Sequence, residues 1–275
     1  MKKNVLIHYH IFKNAGSTID WILQKNFGKD ALKLDESNPD GHIKPQTMLE
    51  FLHEHPSPKS FSSHQLRFPT PQNQDYRFLP IVFIRHPIDR IFSIYHFLHH
   101  NPDVNELNDI LKANNSTLKD FVQFNLKSNP KRMRDNQLKF LARRGKIRLY
   151  GKHYLFRAYR TIKKCTVLGI VERMDDSLVL AEEILQNYFP EIDLAYVAQN
   201  IRTRNPSLEK RIEEGKDEIG ETLMNKLITI NKWDFSLYKY ANNELNLRIA
   251  NINNFYQKLN DFKKRCNELS DKSSN

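Results

Sequence analysis

Apolar residues fall into two patterns along this chain. In the first they form short continuous runs: Val5-Leu6-Ile7, Phe78-Leu79-Pro80-Ile81-Val82-Phe83-Ile84 and Thr166-Val167-Leu168-Gly169-Ile170-Val171. Runs of strand length without polar alternation suit strands buried on both faces of a parallel sheet, so three such strands are predicted. In the second pattern apolar residues recur at three- and four-residue spacing. Examples are Ile19, Ile22 and Leu23, ending near Gly28; Met48, Leu49, Phe51 and Leu52; and Ile88, Ile91, Phe92, Tyr95 and Leu98 after Pro87. Further helical stretches are predicted at 107–111, 118–126, 136–141, 178–188 and 209–230, with Asp175-Asp176-Ser177 able to cap the fourth. Ser60 to His64 is short and β-compatible. Strands alternating with helices predict the α/β class: three layers around a central, mainly parallel sheet.

The pattern changes near the end. Leu245, Ile249, Ile252, Tyr256 and Leu259 follow a short heptad, broken at Lys263 and resumed at Cys266. This predicts a helical C-terminal extension, 241–275, beyond a main domain of 1–240. Two packings stay open for it: against its own domain, or against a second copy in a homo-oligomer.

Composition narrows the function classes. Of 275 residues 39% are apolar and 11% aromatic, enough for a sizeable core. Lys and Arg number 43 against 32 Asp and Glu, a net charge of +11. That excess fits a polyanionic partner, which could be a phosphorylated cofactor, acidic polysaccharide, anionic lipid or nucleic acid, or else a basic solvated surface. Cys165 and Cys266 match no metal or redox spacing and are read as unpaired thiols of a reducing, cytoplasmic setting. Met1-Lys2-Lys3-Asn4 begins like a signal segment, but the apolar stretch behind it is too short. No run reaches the ~18 apolar residues of a membrane span.

Candidate chemistry concentrates in two strand-to-helix turns. The first is His10-Ile11-Phe12-Lys13-Asn14-Ala15-Gly16-Ser17-Thr18. A compact loop with one lysine, then a hydroxyl pair opening a helix, is how a chain cradles phosphate, since free N–H groups and the macrodipole both favour an anion there. It is not a Walker A loop, because Lys13 precedes the only glycine. The second turn is Arg85-His86-Pro87-Ile88-Asp89-Arg90-Ile91-Phe92-Ser93. Both would lie at the carboxyl edge of a parallel sheet, where ligands bind. Two anion sites on one edge suit a nucleotide with phosphates at two places. Basic residues at 131–148, from Lys131 to Arg148, form a solvated face or line a site for an acidic acceptor. There is no H-E-x-x-H, no cysteine cluster and no acidic pair placed like a Walker B element, so no metal is expected.

These motifs resemble the sulfotransferases that use 3′-phosphoadenosine-5′-phosphosulfate (PAPS), and most closely the carbohydrate branch with the heparan and dermatan 2-O- and chondroitin enzymes. The first turn is similar to that family's 5′-phosphosulfate loop, and Arg85 to Tyr95 to its 3′-phosphate motif. Weaker matches are Asp135-Asn136-Gln137 with Leu141, Gly169 to Arg173 with Ser177, and Asn200 to Ser207. Phe12, Asn14 and His86 depart from the family pattern. The resemblance implies a P-loop-NTPase-like sulfotransferase fold and PAPS as sulfuryl donor. It implies cofactor contacts from Lys13, Asn14, Ala15, Gly16, Ser17, Thr18, Arg85, Ser93 and Arg202. Lys13 would stabilise the leaving phosphate, and His64, in Ser63-His64-Gln65-Leu66-Arg67-Phe68, would be the general base, with His8 and His10 as rivals. The expected partner is a glycan or other hydroxyl-bearing acceptor, not nucleic acid. The alternatives are a P-loop-type nucleotide kinase and a non-catalytic polyanion-binding protein.

Overall fold

The computed structural model describes residues 2–37, 41–55, 57–101, 116–128, 130–142, 151–197 and 207–274. Five strands form one sheet: β1 Lys3–Tyr9, β2 Ala31–Lys33, β3 Ser60–Ser63, β4 Tyr76–Ile84 and β5 Val167–Ile170. Their order is β2-β3-β1-β4-β5, and every neighbouring pair is parallel. All five therefore end on the same edge. β2 has no pattern of its own in the sequence, because three residues are too few to show one.

The helices are α1 Gly16–Phe27, α2 Pro45–His53, α3 Pro87–His100, α4 Leu118–Ser128, α5 Pro130–Met133, α6 Asn136–Ala142, α7 Lys152–Lys164, α8 Met174–Leu185, α9 Leu208–Ile219, α10 Glu221–Ile230, α11 Lys232–Ile249 and α12 Phe255–Ser274. They cover both faces of the sheet, as continuous apolar strands demand. Val5, Ile7, Tyr9, Val82 and Ile84 pack beneath α2, α6, α7 and α11. Leu6, Leu79, Ile81 and Phe83 pack beneath α1, α8 and α12. A third cluster around Ile88, Phe92, Val122 and Leu227 joins α3, α4, α9 and α10 beyond the sheet edge. This is the three-layer α/β fold expected.

Local differences have local causes. The stretch expected at 209–230 is two helices, divided at Gly220, whose φ of +84° is open to glycine and strained for other residues. Asp175 and Asp176 do not cap α8. It begins at Met174, and Ser177 lies inside it, donating to Arg173 O and accepting from the Ile170 N–H. α7 was not foreseen, since its buried face is Tyr154, Ala158, Thr161 and Ile162, too mixed to stand out. The heptad does not run through one helix. α11 stops at Ile249, Asn254 turns with a φ of +55°, and α12 restarts at Phe255. α12 buries Phe255 and Phe262 in the sheet's second core while Tyr256 stays 80% exposed, so the tail packs on its own domain. α11 passes through residues 240 and 241 without a break and buries Leu237, Ala241 and Leu245. The helix expected at 107–111, the basic residues 143–148 and Arg202 lie outside the described residues, as do the side chains of Lys131 and Arg132. No helix among the described residues is long and apolar enough to cross a membrane.

Candidate active site

The loop after β1 is a tight turn with two non-glycine residues in the left-handed region, Lys13 at φ +64° and Ala15 at φ +61°. Each costs roughly 1–2 kcal/mol, so the surroundings must hold them there. They do so through the loop's carbonyls. Arg85 Nη1 donates to Lys13 O at 2.8 Å, Arg90 Nε to Phe12 O at 3.0 Å, and the Asn14 N–H to Ile11 O at 3.0 Å. The N–H groups of Ala15, Gly16 and Ser17 find no acceptor among the described residues. Three free donors where α1 begins, beside a lysine, make an anion nest. Gly16 is required for close approach, since a Cβ there would stand 1.6 Å from His10 Nε2. Lys13 Nζ rests 4.3 Å from the centre of the Phe97 ring. Ser17 is exposed at the mouth, and Thr18 is buried.

Asn14, expected among the phosphate contacts, turns its side chain into the protein. Asn14 is buried, and its Nδ2 donates to Phe83 O and Gln137 Oε1, both at 2.7 Å. Gln137 Oε1 also accepts the Arg85 N–H at 2.9 Å, while its Nε2 donates to Arg85 O at 2.8 Å. One buried amide therefore fixes both turns. It is placed by reciprocal capping. Asp234 accepts the Gln137 and Leu138 N–H groups, and Asp135 accepts those of Trp233 and Asp234.

In the second turn Asp89 is fully buried between two guanidiniums. Arg85 Nη2 approaches it at 2.6 Å and Arg211 Nε, from α9, at 2.9 Å. Burial would raise the Asp89 carboxyl, but the arginines bring it down to about 2. Arg85 thus spends three of its five N–H donors on Asp89 and Lys13, and two remain for a ligand. His86 takes the capping place of α3 and accepts the Asp89 N–H. Burial pushes its imidazole down to about 4, which keeps that nitrogen free of a proton. Ser93, 9% exposed on α3, has no hydrogen-bond partner among the described residues.

Across the edge stands His64, just after β3. Its Nδ1 lies 3.0 Å from Asp35 Oδ2, just after β2, and a carboxylate only accepts, so Nδ1 carries the hydrogen. Asp35 is itself fixed by the His64 N–H and the Ser63 hydroxyl, each at 2.9 Å. Burial would raise its carboxyl, yet these bonds hold it below the ordinary value. Nε2 of His64 has no protein partner among the described residues. The ring stacks on His10 at 3.7 Å and lies 6.3 Å from the Phe12 ring, so the histidine and the nest adjoin.

The rival histidines are engaged elsewhere. His8 is buried, and its Nδ1 donates to Asp20 Oδ1 at 3.0 Å with Ser62 Oγ at 2.9 Å. His10 Nδ1 stands 3.5 Å from Asp20 Oδ2, too poorly aligned for a hydrogen bond, and burial pushes its imidazole down to about 4. His8, His10 and Asp20 bring possible metal-binding atoms within 4.8 Å of one another. The Asp20 carboxylate is already matched by the Lys33 ammonium at 3.1 Å and the Ser62 hydroxyl at 2.6 Å, as well as by His8.

The described residues thus bring together Lys13, Ala15, Gly16, Ser17, Arg85 and Ser93 on one side of the edge and His64 on the other. Sequence reasoning missed Asp35, Arg211 and the joint work of Gln137. The only signal for Asp35 was a carboxylate just past a two-residue apolar step, Ala31-Leu32. The geometry is that of an anion nest facing an imidazole whose Nδ1 is held by Asp35. Comparison with known proteins agrees with it. The chain is 30% identical over 246 residues to an uncharacterized protein of Archaeoglobus fulgidus, the match covering 87% of this chain and 96% of that one. A model of the Sulfotransferase family matches residues 1–241, a span that holds both turns and the histidine, and the chain belongs to that family.

Proposed function

We propose that the protein transfers a sulfuryl group from PAPS to an acceptor hydroxyl of a carbohydrate or glycolipid. The observation that carries this reading is the placing, on one sheet edge, of the free Ala15, Gly16 and Ser17 N–H groups with Lys13 beside an imidazole whose Nδ1 is committed to Asp35. The donor supplies an activated sulfur–oxygen bond to phosphate. The nest and Lys13 bind that phosphate and stabilise the charge it gains as the bond breaks. The two spare donors of Arg85 and the Ser93 hydroxyl hold the 3′-phosphate. Asn14 acts from within, by fixing the loop. His64 Nε2 takes the acceptor's proton while the acceptor oxygen bonds to sulfur, and the electron pair of the broken bond leaves with adenosine 3′,5′-bisphosphate. Asp35 holds the imidazole in the accepting tautomer and stabilises the imidazolium.

The test uses labelled PAPS against a panel of glycans, lipids and small alcohols, alongside thermal stabilisation by adenosine 3′,5′-bisphosphate. His64→Ala is expected to keep nucleotide binding and lose roughly 10²- to 10⁴-fold in turnover. Full activity in that variant would refute the base. Stabilisation by Mg-ATP in place of the bisphosphate would favour a nucleotide kinase.

A further inference from the structure

A cleft of about 720 Å³ opens on the opposite edge of the sheet. It exists because β5 is short. The β4–β5 ladder begins at Ile81 paired with Val167, so Tyr76 to Pro80 of β4 have no strand on that side. Pro80, which has no N–H to offer a ladder, sits in this uncovered half. One wall is α7, which runs back toward this edge before entering β5. The other is the segment from Phe68 to Asn73.

Five cationic side chains line the cleft: Lys2, Arg77, Arg157, Arg160 and Lys164, with no acid among its lining residues. Arg157, Arg160 and Lys164 lie three and four residues apart, which makes them one stripe on the face of α7. Several arginines elsewhere are paired with acids: Arg85 and Arg211 on Asp89, Arg173 on Asp176, Arg248 on Glu244 and Arg265 on Glu182. The five around the cleft have no carboxylate partner among the described residues. Lys2 donates to the Asn73 carbonyl at 2.8 Å, and Arg77 and Arg160 lie 5.9 Å from the Tyr188 and Phe156 rings. Gathering like charges in a concavity raises the potential there, and an anionic occupant relieves it.

We infer that this cleft binds a compact, multiply charged oxyanion, with two or more phosphate, sulfate or carboxylate groups. Its concavity and volume suit a small ligand, and its floor of Phe68, Tyr76, Phe78 and Pro80 offers an apolar face to the frame that carries the charges. The site is separate from the nucleotide edge. Arg77 and Arg85 are eight residue steps apart along β4 and its turn, about 26 Å at ~3.3 Å per residue. The inference goes beyond sulfuryl transfer and does not depend on it.

The experiment is calorimetry on the full chain at low and high salt, with tripolyphosphate in one arm and a heparin tetrasaccharide in the other. Maltotetraose serves as neutral control. One of the two polyanions is expected to bind one-to-one, and the tighter arm tells phosphate from sulfated sugar. The double variant Arg157→Ala/Arg160→Ala is expected to weaken it about tenfold or more, through lost charge-assisted hydrogen bonds. Lys2→Ala should weaken it from the other wall, where Lys2 Nζ donates to Asn73 O, and Lys13→Ala should leave it unchanged. The cleft variants are first checked for an unchanged melting midpoint and unchanged binding of adenosine 3′,5′-bisphosphate, and Lys13→Ala for an unchanged melting midpoint. Binding that ignores the arginine variants, is lost in Lys13→Ala, or is absent for both polyanions would overturn the site. So would equal or tighter binding of phosphatidylserine vesicles or a single-stranded DNA 20-mer through the same arginines.

Discussion

The two sides of the active edge are built from different material. On the β1 and β4 side the ligand-facing groups are backbone N–H donors, and the side chains work behind them: Arg85 and Arg90 on the loop's carbonyls, Asn14 and Gln137 beneath. On the β2 and β3 side the group proposed to react is a side chain, and its support is another side chain, Asp35 on His64. A phosphate site needs fixed dipoles that do not change between substrate and transition state. A proton acceptor needs one lone pair, correctly tautomeric, that gains charge once per turnover. The first is best made by a locked loop and the second by an oriented imidazole.

Breaking the backbone side should cost most. In Gly16→Ala the new methyl collides with His10 and displaces the loop, so bisphosphate binding and transfer are both expected to be lost, read by calorimetry and by the PAPS assay. Lys13→Ala leaves the loop in place and should lower kcat by roughly 10²- to 10³-fold, with folding unchanged by circular dichroism. On the side-chain side the loss should be smaller and confined to turnover. Asp35→Asn is expected to lower kcat by roughly 10- to 100-fold with little change in the donor KM, partly restored in Asp35→Glu. An Asp35→Asn variant that lowers nucleotide affinity instead would erase the division drawn here. Gln137→Ala leaves the Asn14 and Arg85 groups unpaired inside the protein, and should cost about 1–3 kcal/mol in urea unfolding.

The smallest expected effect is on acid stability. His10 and His86 are held at about 4 against an ordinary 6.5, mainly by burial. Between those values the unfolded chain binds more protons than the folded one, so both histidines make stability fall as pH drops from 6.5 to 4. Asp234, raised to about 6 by burial, acts in reverse: the folded state keeps a proton that the unfolded chain releases, adding stability over pH 6 to 4. The two histidines are expected to outweigh the one carboxyl. His10→Gln should flatten the fall, measured as urea midpoints across that range, and an unchanged slope would show that His10 takes up its proton without unfolding.

What could be read from sequence follows the same division. The nest was legible because its parts are consecutive: a strand, a small loop with one lysine, and a hydroxyl pair at a helix start. Arg85 was legible as a cation at a strand end. Its partners were not, because Arg211 and Gln137 arrive from helices far along the chain and meet it only when the sheet is layered. Asp35 was hidden for a related reason. It is 29 residues from His64, and only the parallel pairing of β2 with β3 makes them neighbours. The inward turn of the Asn14 side chain was hidden too, because its acceptors, Phe83 O and Gln137 Oε1, lie far along the chain.

The reciprocal caps of α6 and α11 make the start of α11 a reporter of the loop after β1. Asp234 holds the N–H of Gln137, Gln137 holds Arg85 and Asn14, and those hold the loop. A ligand that favours the locked loop therefore also favours the capped start of α11, and that coupling has the same size read from either end. The amides of Trp233 and Asp234, which touch no substrate, should therefore exchange with solvent more slowly when adenosine 3′,5′-bisphosphate is bound.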